Sequence, residues 1–159
     1  MSGFSPDPGL PWPVLPGSYF HGTAVVVGEK GILILGESGA GKSALAERII
    51  HEARGRGHFA TLIGDDRVAI HAKAGRLLIS GHPVIRGRIE RRGIGIFDVD
   101  STQKAVLKGV ISIACDPPRL PGDAGKTLDI AGIRVPLLAL RDDRDLAAKA
   151  HLAVEWIGA

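Results

Sequence analysis

Apolar residues in this chain come in short runs separated by glycine-bearing polar turns, the rhythm of strands joined by hairpins. Thr23–Val27 and Ile32–Leu35 are two such runs, and Gly28-Glu29-Lys30-Gly31 between them reads as a hairpin turn. The spacing then changes. From Ala44 onward, Leu45, Ile49 and Glu52-Ala53 recur at helical intervals, with Gly55 and Gly57 as stop signals. Phe59–Ile63 predicts a buried strand ending in Gly64-Asp65-Asp66. Arg67–His71 and Arg76–Ser80 flank Lys73-Ala74-Gly75 and predict a second hairpin. Residues 81–95, rich in Gly and Arg, read as a functional loop. Val106–Ala114 and Leu128–Leu140 read as further strand, interrupted by the Pro-rich segment 117–122. Asp145 is placed to cap a last helix with Leu146, Ala150, Ala153 and Ile157 on one face. Hairpins beside a strand–loop–helix unit predict an α/β fold with a mixed sheet and flanking helices.

Between the first hairpin and the first helix lies Gly36-Glu37-Ser38-Gly39-Ala40-Gly41-Lys42-Ser43, which fits G-x-x-x-x-G-K-S without a mismatch. The chemistry of that spacing is specific. Glycines let successive backbone N–H groups point at phosphate oxygens, and the following helix adds its positive end. Lys42 is placed for the β- and γ-phosphates of a nucleotide, and the Ser43 hydroxyl for Mg²⁺. A glycine-rich turn that matches by accident would not also sit between a strand and a helix, where the mechanism needs it.

Asp65-Asp66 ends the next strand. A carboxylate there can hold Mg²⁺ or take a proton from an incoming hydroxyl, and two adjacent ones could divide those roles. The bland alternative is a solvated turn. In Ile89-Glu90-Arg91-Arg92-Gly93-Ile94-Gly95-Ile96, Glu90 is a candidate metal ligand, and an arginine, Arg92 among them, a candidate for phosphate oxygens. Read without context, that stretch is an exposed charged loop. Arg86–Arg92 lacks the interleaved aromatics of a nucleic-acid patch. His21, Arg119, Arg141 and Arg144 are surface residues by default.

The 159 residues suit one domain, read as a Pro/Gly-rich lead-in over residues 1–18 and a single P-loop catalytic domain over 19–159. Hydrophobic residues at 45% and charged residues at 23% describe a globular chain. A net charge of +3 suits phosphate ligands or an acidic partner but does not argue for nucleic acid. One cysteine, Cys115, permits no intrachain disulfide and reads as a small buried apolar residue, so a reducing, cytoplasmic setting is expected. No apolar run reaches membrane-spanning length, and no basic segment followed by an apolar one marks a secretory signal.

Taken in order, His21-Gly22, the hairpin, Gly36–Ser43, Asp65-Asp66 and Glu90–Ile96 resemble the catalytic domain of HPr kinase/phosphorylase. Enzymes of that bacterial family phosphorylate a serine on HPr, the phosphocarrier of the sugar phosphotransferase system, and remove it by phosphorolysis. The resemblance covers about residues 19–157. It implies a P-loop core similar to that of phosphoenolpyruvate carboxykinase, with ATP and Mg²⁺ as cofactors and inorganic phosphate or pyrophosphate as co-substrate. HPr or an HPr-like carrier would be the protein partner. A homo-oligomer is expected, with neither nucleic acid nor membrane as partner.

Residue by residue, the resemblance implies that Gly36, Glu37, Ser38, Gly39, Ala40, Gly41, Lys42 and Ser43 bind ATP, with Lys42 catalytic. Ser43 and Glu90 would hold Mg²⁺, with Asp65 as a further candidate ligand. Asp66 or Asp65 would accept the serine proton, and His21 and Arg119 would be active-site residues. Arg141-Asp142-Asp143-Arg144-Asp145-Leu146-Ala147 resembles a segment, R-P-G-R-N-L-A, that matters for phosphorolysis. The chain departs from the pattern in several places. The family's usual N-terminal domain is not expected here, and the chain reads as a short form with the catalytic domain only. The interval from Ser43 to Asp65 is longer and holds Arg54-Gly55-Arg56-Gly57, and Arg91 stands where an apolar residue is usual. Asp142-Asp143 replaces Pro-Gly and Asp145 replaces Asn, which weighs against phosphorolysis more than against the kinase reaction. The competing readings are a P-loop kinase of a small hydroxylated metabolite, which a deep closed pocket would favour, and a nucleotide-binding regulatory module without catalysis, which intact Lys42, Asp65, Asp66 and Glu90 oppose.

Overall fold

Two consecutive strands, β2 (Thr23–Val27) and β3 (Lys30–Gly36), are apolar at nearly every position instead of alternating. The reason is that both faces of the sheet they belong to are covered. Val25, Val27, Ile32 and Ile34 join one buried cluster with Leu45, Ile49, Ala150 and Val154, which lie on helices α1 (Lys42–Gly55) and α2 (Leu146–Ile157). Ala24, Val26, Leu33 and Leu35 join a second cluster with Val68, Ile70, Leu77 and Ile79, supplied by later strands of the same sheet. The sheet therefore carries helices on one face and curls over itself on the other.

The computed structural model describes residues 18–37, 39–114, 127–141 and 145–158. Beyond the strands already named, it contains β1 (Tyr19–His21), β4 (Ala60–Gly64), β5 (Arg67–Lys73), β6 (Arg76–Gly81), β7 (Arg88–Arg91), β8 (Gly95–Asp98), β9 (Lys104–Ala114), β10 (Thr127–Ile130) and β11 (Ile133–Arg141). Nine strands form one sheet along the path β1-β5-β6-β9-β3-β2-β4, with β11 also on β9 and β10 beyond it; β7 and β8 pair separately. The long β9 lies parallel to β3 on one edge. On its other edge it is shared, antiparallel to β6 at Lys104–Val106 and parallel to β11 from Val110 to Ala114. Because β2 is antiparallel to both β3 and β4, the strands β3, β4, β9 and β11 all run the same way. Gly36, Gly64, Ala114 and Arg141 thus finish at one end of the sheet, the end where α/β folds bind ligands.

The mixed α/β sheet, both early hairpins and the two helices follow the sequence reading. Three local expectations need correction. Residues 81–95 are not simply a loop: after a 3₁₀ turn at Pro83–Ile85, β7 and β8 pair antiparallel, Ile89 opposite Phe97. Gly93 (φ 76°) and Gly95 (φ 138°) turn that hairpin in backbone regions only glycine enters cheaply. Leu128–Leu140 is not one strand but the hairpin β10–β11, turned at Ala131-Gly132 with φ of 51° and 81°. Asp129 Oδ1 accepts the Gly132 N–H there at 3.0 Å. At the start of α2, Asp145 occupies the cap position but its side chain makes no capping bond; its carbonyl accepts the Lys149 N–H at 3.0 Å. The Pro-rich segment 117–122, Cys115 and most of the lead-in lie outside the described residues. No helix among the described residues is long and apolar enough to cross a membrane.

At the site end, β4 and β6 approach so closely that only glycine fits. A Cβ on Gly81 would collide with the Ile63 carbonyl, and one on Gly64 would lie 2.8 Å from the Gly81 Cα. Gly55, at the end of α1, has open space around it. Gly81→Ala is therefore expected to lower stability by about 1–3 kcal/mol, and Gly55→Ala to leave it unchanged or raise it by up to about 1 kcal/mol. Urea unfolding of the two variants checks the contrast; equal midpoints would mean the β4–β6 approach is not tight.

Candidate active site

The helix α1 begins at Lys42 without help from any side chain. Gly41, at its cap position, is left-handed (φ 90°), no side chain caps the first turn, and that turn carries no acidic residue. Its first N–H groups and its positive end are thus left without a side-chain partner, a setting that favours an anion. Gly39 is also left-handed (φ 86°), and Ala40 N–H donates to the Glu37 carbonyl at 3.0 Å. Lys42 folds back, its Nζ donating to the Gly36 and Glu37 carbonyls at 2.8 and 3.0 Å. Burial pushes the Lys42 ammonium below its ordinary pKa, while the nearby Asp65 and Asp66 charges pull it back up. Ser38 lies outside the described residues.

The two aspartates after β4 have different surroundings. Asp65 is 6% exposed. Its Oδ1 accepts from the Thr23 hydroxyl at 2.8 Å and from the Ser43 hydroxyl at 2.7 Å, and its Oδ2 accepts the Glu90 backbone N–H at 3.1 Å. Three elements, β2, α1 and β7, are thereby tied to one carboxylate. Asp66 takes a left-handed backbone (φ 71°), which turns it away from its neighbour. Its side chain is 63% exposed and meets His21 Nδ1 at 3.1 Å, His21 being 70% exposed. The Asp66 carbonyl accepts the Gly22 N–H, so the β1–β2 junction is held against the aspartate turn.

The β7–β8 hairpin closes the other side of the P-loop. Arg92, at its turn, lies with Nη1 3.5 Å from the Gly39 carbonyl. Arg91 forms a two-bond fork onto Glu47 of α1 at 3.0 and 2.9 Å, which raises its pKa above the ordinary guanidinium value. Glu90 enters the site through its backbone; its carboxylate makes no hydrogen bond or ion pair among the described residues. Nor is any group of three or more His, Cys, Asp and Glu side chains among the described residues arranged to hold a metal ion. The donor set at hand is a hydroxyl, Ser43, on one carboxylate, Asp65, with Glu90 nearby in sequence to the backbone contact. That set suits a Mg²⁺ ion that keeps waters and borrows phosphate oxygens, not an all-protein metal cage.

The fold therefore brings His21, Gly36, Gly39, Gly41, Lys42, Ser43, Asp65, Asp66, the Glu90 backbone and Arg92 to one end of the sheet. Arg141 closes β11 there, in register with Ala114. Arg119 and Arg144 lie outside the described residues. Sequence reasoning missed Thr23 and Glu47. The first sits two residues after His21 on a strand whose run looked purely apolar; the second lies one helical turn beyond Ser43, a spacing that places both on one face of α1.

A sequence model for the HPr Serine kinase C-terminal domain matches residues 14–108. The chain belongs to this family. Curated relatives named HPr kinase/phosphorylase include those of Chlorobium phaeobacteroides, 36% identical over 134 residues, which are 76% of this chain and 38% of that protein, and Caldicellulosiruptor bescii, 36% identical over 148 residues, 84% and 45% respectively. The chain thus spans under half the length of these relatives. A solved structure of the HPr(Ser) kinase/phosphatase from Coxiella burnetii superposes with a TM-score of 0.68 at 27% identity, covering 88% of this chain and 97% of that one. The shared fold is the mixed α/β sheet described above.

The unequal settings of the aspartates make a direct prediction about stability. Thr23 is fully buried, and Thr23→Val removes one donor from a buried carboxylate, which should cost about 1–3 kcal/mol. Asp66→Asn lies on the surface in a backbone region Asn tolerates, and should stay within about 0.5 kcal/mol of the wild type. Thermal or urea unfolding reads both; a large loss for Asp66→Asn would show that the His21 contact is structural.

Proposed function

We propose that this chain is the catalytic domain of an ATP- and Mg²⁺-dependent protein-serine kinase that acts on HPr or an HPr-like phosphocarrier. The observation that carries the reading is the unequal pair of aspartates beside a complete P-loop. Asp65 is buried on the Ser43 hydroxyl, and Asp66 is exposed against His21. In this reading Asp66 is the proton acceptor. The substrate serine Oγ attacks the γ-phosphorus of ATP, its proton passes to Asp66, and the bond from phosphorus to the β–γ bridging oxygen breaks to release ADP. His21 orients the Asp66 carboxylate. Backbone N–H groups of the Gly36–Ser43 loop, the α1 end and Lys42 stabilise charge on the transferring group, with Arg92 assisting from the hairpin. Ser43 and Asp65, with Glu90 as a further ligand, would hold Mg²⁺, which would supply neutralisation of phosphate charge.

Exposure favours a protein substrate over a small metabolite. Asp66 and His21 stand on open surface, where a loop of a folded partner can present its serine; a metabolite kinase would enclose the acceptor hydroxyl in a closed pocket to exclude water. The reverse reaction, attack of inorganic phosphate on phosphoserine to give pyrophosphate, belongs to the same proposal through Arg119, Arg141 and Arg144, cations suited to hold a second anion beside a phosphorylated substrate. Asp142 and Asp143 lie between two of them in sequence and offset that charge, so the kinase direction is expected to dominate at modest phosphate.

The test is incubation with ATP labelled at the γ-phosphate, Mg²⁺ and purified HPr-like carriers, with the labelled residue located by mass spectrometry. Label should appear on one serine. Lys42→Ala and Asp66→Asn should each reduce the rate by about a hundredfold or more while the folded fraction is unchanged. Full transfer by Asp66→Asn would remove it as the proton acceptor. Label on a small metabolite and on no carrier would replace the protein-kinase reading.

A further inference from the structure

The β7–β8 hairpin carries Glu90 and Arg92, yet it is not part of the nine-stranded sheet. A two-stranded hairpin is marginal by itself. Packing anchors one side of this hairpin, where Ile89 is buried in the core and Phe97 packs against it, but at its tip Ile94 and Ile96 are 74% and 70% exposed. Polar contacts add to that packing in fixing its position over the P-loop. One tether is the Glu90 N–H on Asp65. The other is Arg91.

Arg91 donates through Nε to Glu47 Oε1 and through Nη2 to Glu47 Oε2, the parallel two-bond arrangement that fixes orientation as well as distance. The same guanidinium lies over the Phe97 ring, 4.3 Å from its centroid, so it is clamped between the opposite strand of its own hairpin and the P-loop helix. Glu47 is one turn beyond Ser43 on α1. The contacts therefore close a ring: Ser43 to Asp65, Asp65 to the Glu90 backbone, Arg91 to Glu47, and back along α1 to Ser43. An exposed ion pair of ordinary geometry contributes little to stability. Here two bonds and a ring contact meet on one side chain, and the property at stake is the placement of a small hairpin.

We propose that Arg91 is a positioning residue, whose fork onto Glu47 locks the β7–β8 hairpin, and with it Glu90 and Arg92, onto the P-loop helix. The lock is specific to the fork: a lysine keeps the charge but not the paired donors. The inference rests on the proposed phosphoryl-transfer site for its kinetic consequence, but not for its structural one.

The experiment has two readouts. Hydrogen exchange followed by mass spectrometry reports the hairpin directly and needs no substrate. Arg91→Ala should speed exchange of the 88–98 amides by about tenfold while the α1 and β3 amides keep wild-type protection. Arg91→Lys should fall between the two, and the exchanged pair Glu47→Arg with Arg91→Glu should restore most of the protection that each single reversal loses. In the transfer assay, Arg91→Ala should lower kcat by about ten- to a hundredfold with KM for ATP roughly unchanged. Hairpin exchange at the wild-type rate in Arg91→Ala, or a double exchange no better than the single reversals, overturns the lock. Loosened exchange with unaltered kcat overturns the positioning role. A wild-type protein that labels no carrier counts against the kinase reading alone, because the exchange measurement still decides the lock.

Discussion

The site depends on one buried carboxylate. A charge at the protein interior is tolerated only when hydrogen bonds replace its lost water, and Asp65 receives three: from Thr23, Ser43 and the Glu90 backbone. Each donor belongs to a different element. The strand that starts beside His21, the helix that follows the P-loop and the hairpin that faces the loop are thereby positioned relative to each other by a single group. Loss of that group would leave a buried hydroxyl, a second hydroxyl at the helix start and a backbone N–H without their acceptor.

The neighbour of that carboxylate is freed by backbone geometry. At Asp66 the chain turns left-handed (φ 71°), so two residues adjacent in sequence face different environments at the end of β4. One organises; the other is exposed against a histidine. The parallel direction of β3, β4, β9 and β11 brings the remaining pieces to the same edge of the molecule, so a sheet built mostly of hairpins still presents the ligand-binding end of an α/β fold. Glycine at positions 64 and 81 lets β4 and β6 approach closely enough to support that edge.

Much of this was legible in the sequence where the physics is local. The P-loop motif, the hairpin glycines at residues 28 and 75 and the apolar face of α2 each depend on residues close together in the chain. What could not be read depended on pairing at long range. The β7–β8 hairpin was hidden by its Arg- and Gly-rich composition, although Ile89 alternates correctly for a strand with one buried side. The break in Leu128–Leu140 rested on two residues, Ala131-Gly132, in an otherwise apolar run. The division of labour between Asp65 and Asp66 follows from a turn that no spacing encodes. Thr23 and Glu47 carry no motif; they matter because β2 lies between β3 and β4, and because α1 places Glu47 opposite Arg91.

The central claim is that Asp65 organises the site while Asp66 stands free for chemistry. It is tested most directly by Asp65→Ala, which removes both acceptor oxygens, followed by hydrogen exchange across the whole chain with Asp66 left intact. The account predicts that protection falls together at three separated places, the start of β2, the first turn of α1 and the β7–β8 hairpin, and that phosphoryl transfer is lost with it. Loosening confined to the Asp65 turn, or full transfer by the variant, would contradict it.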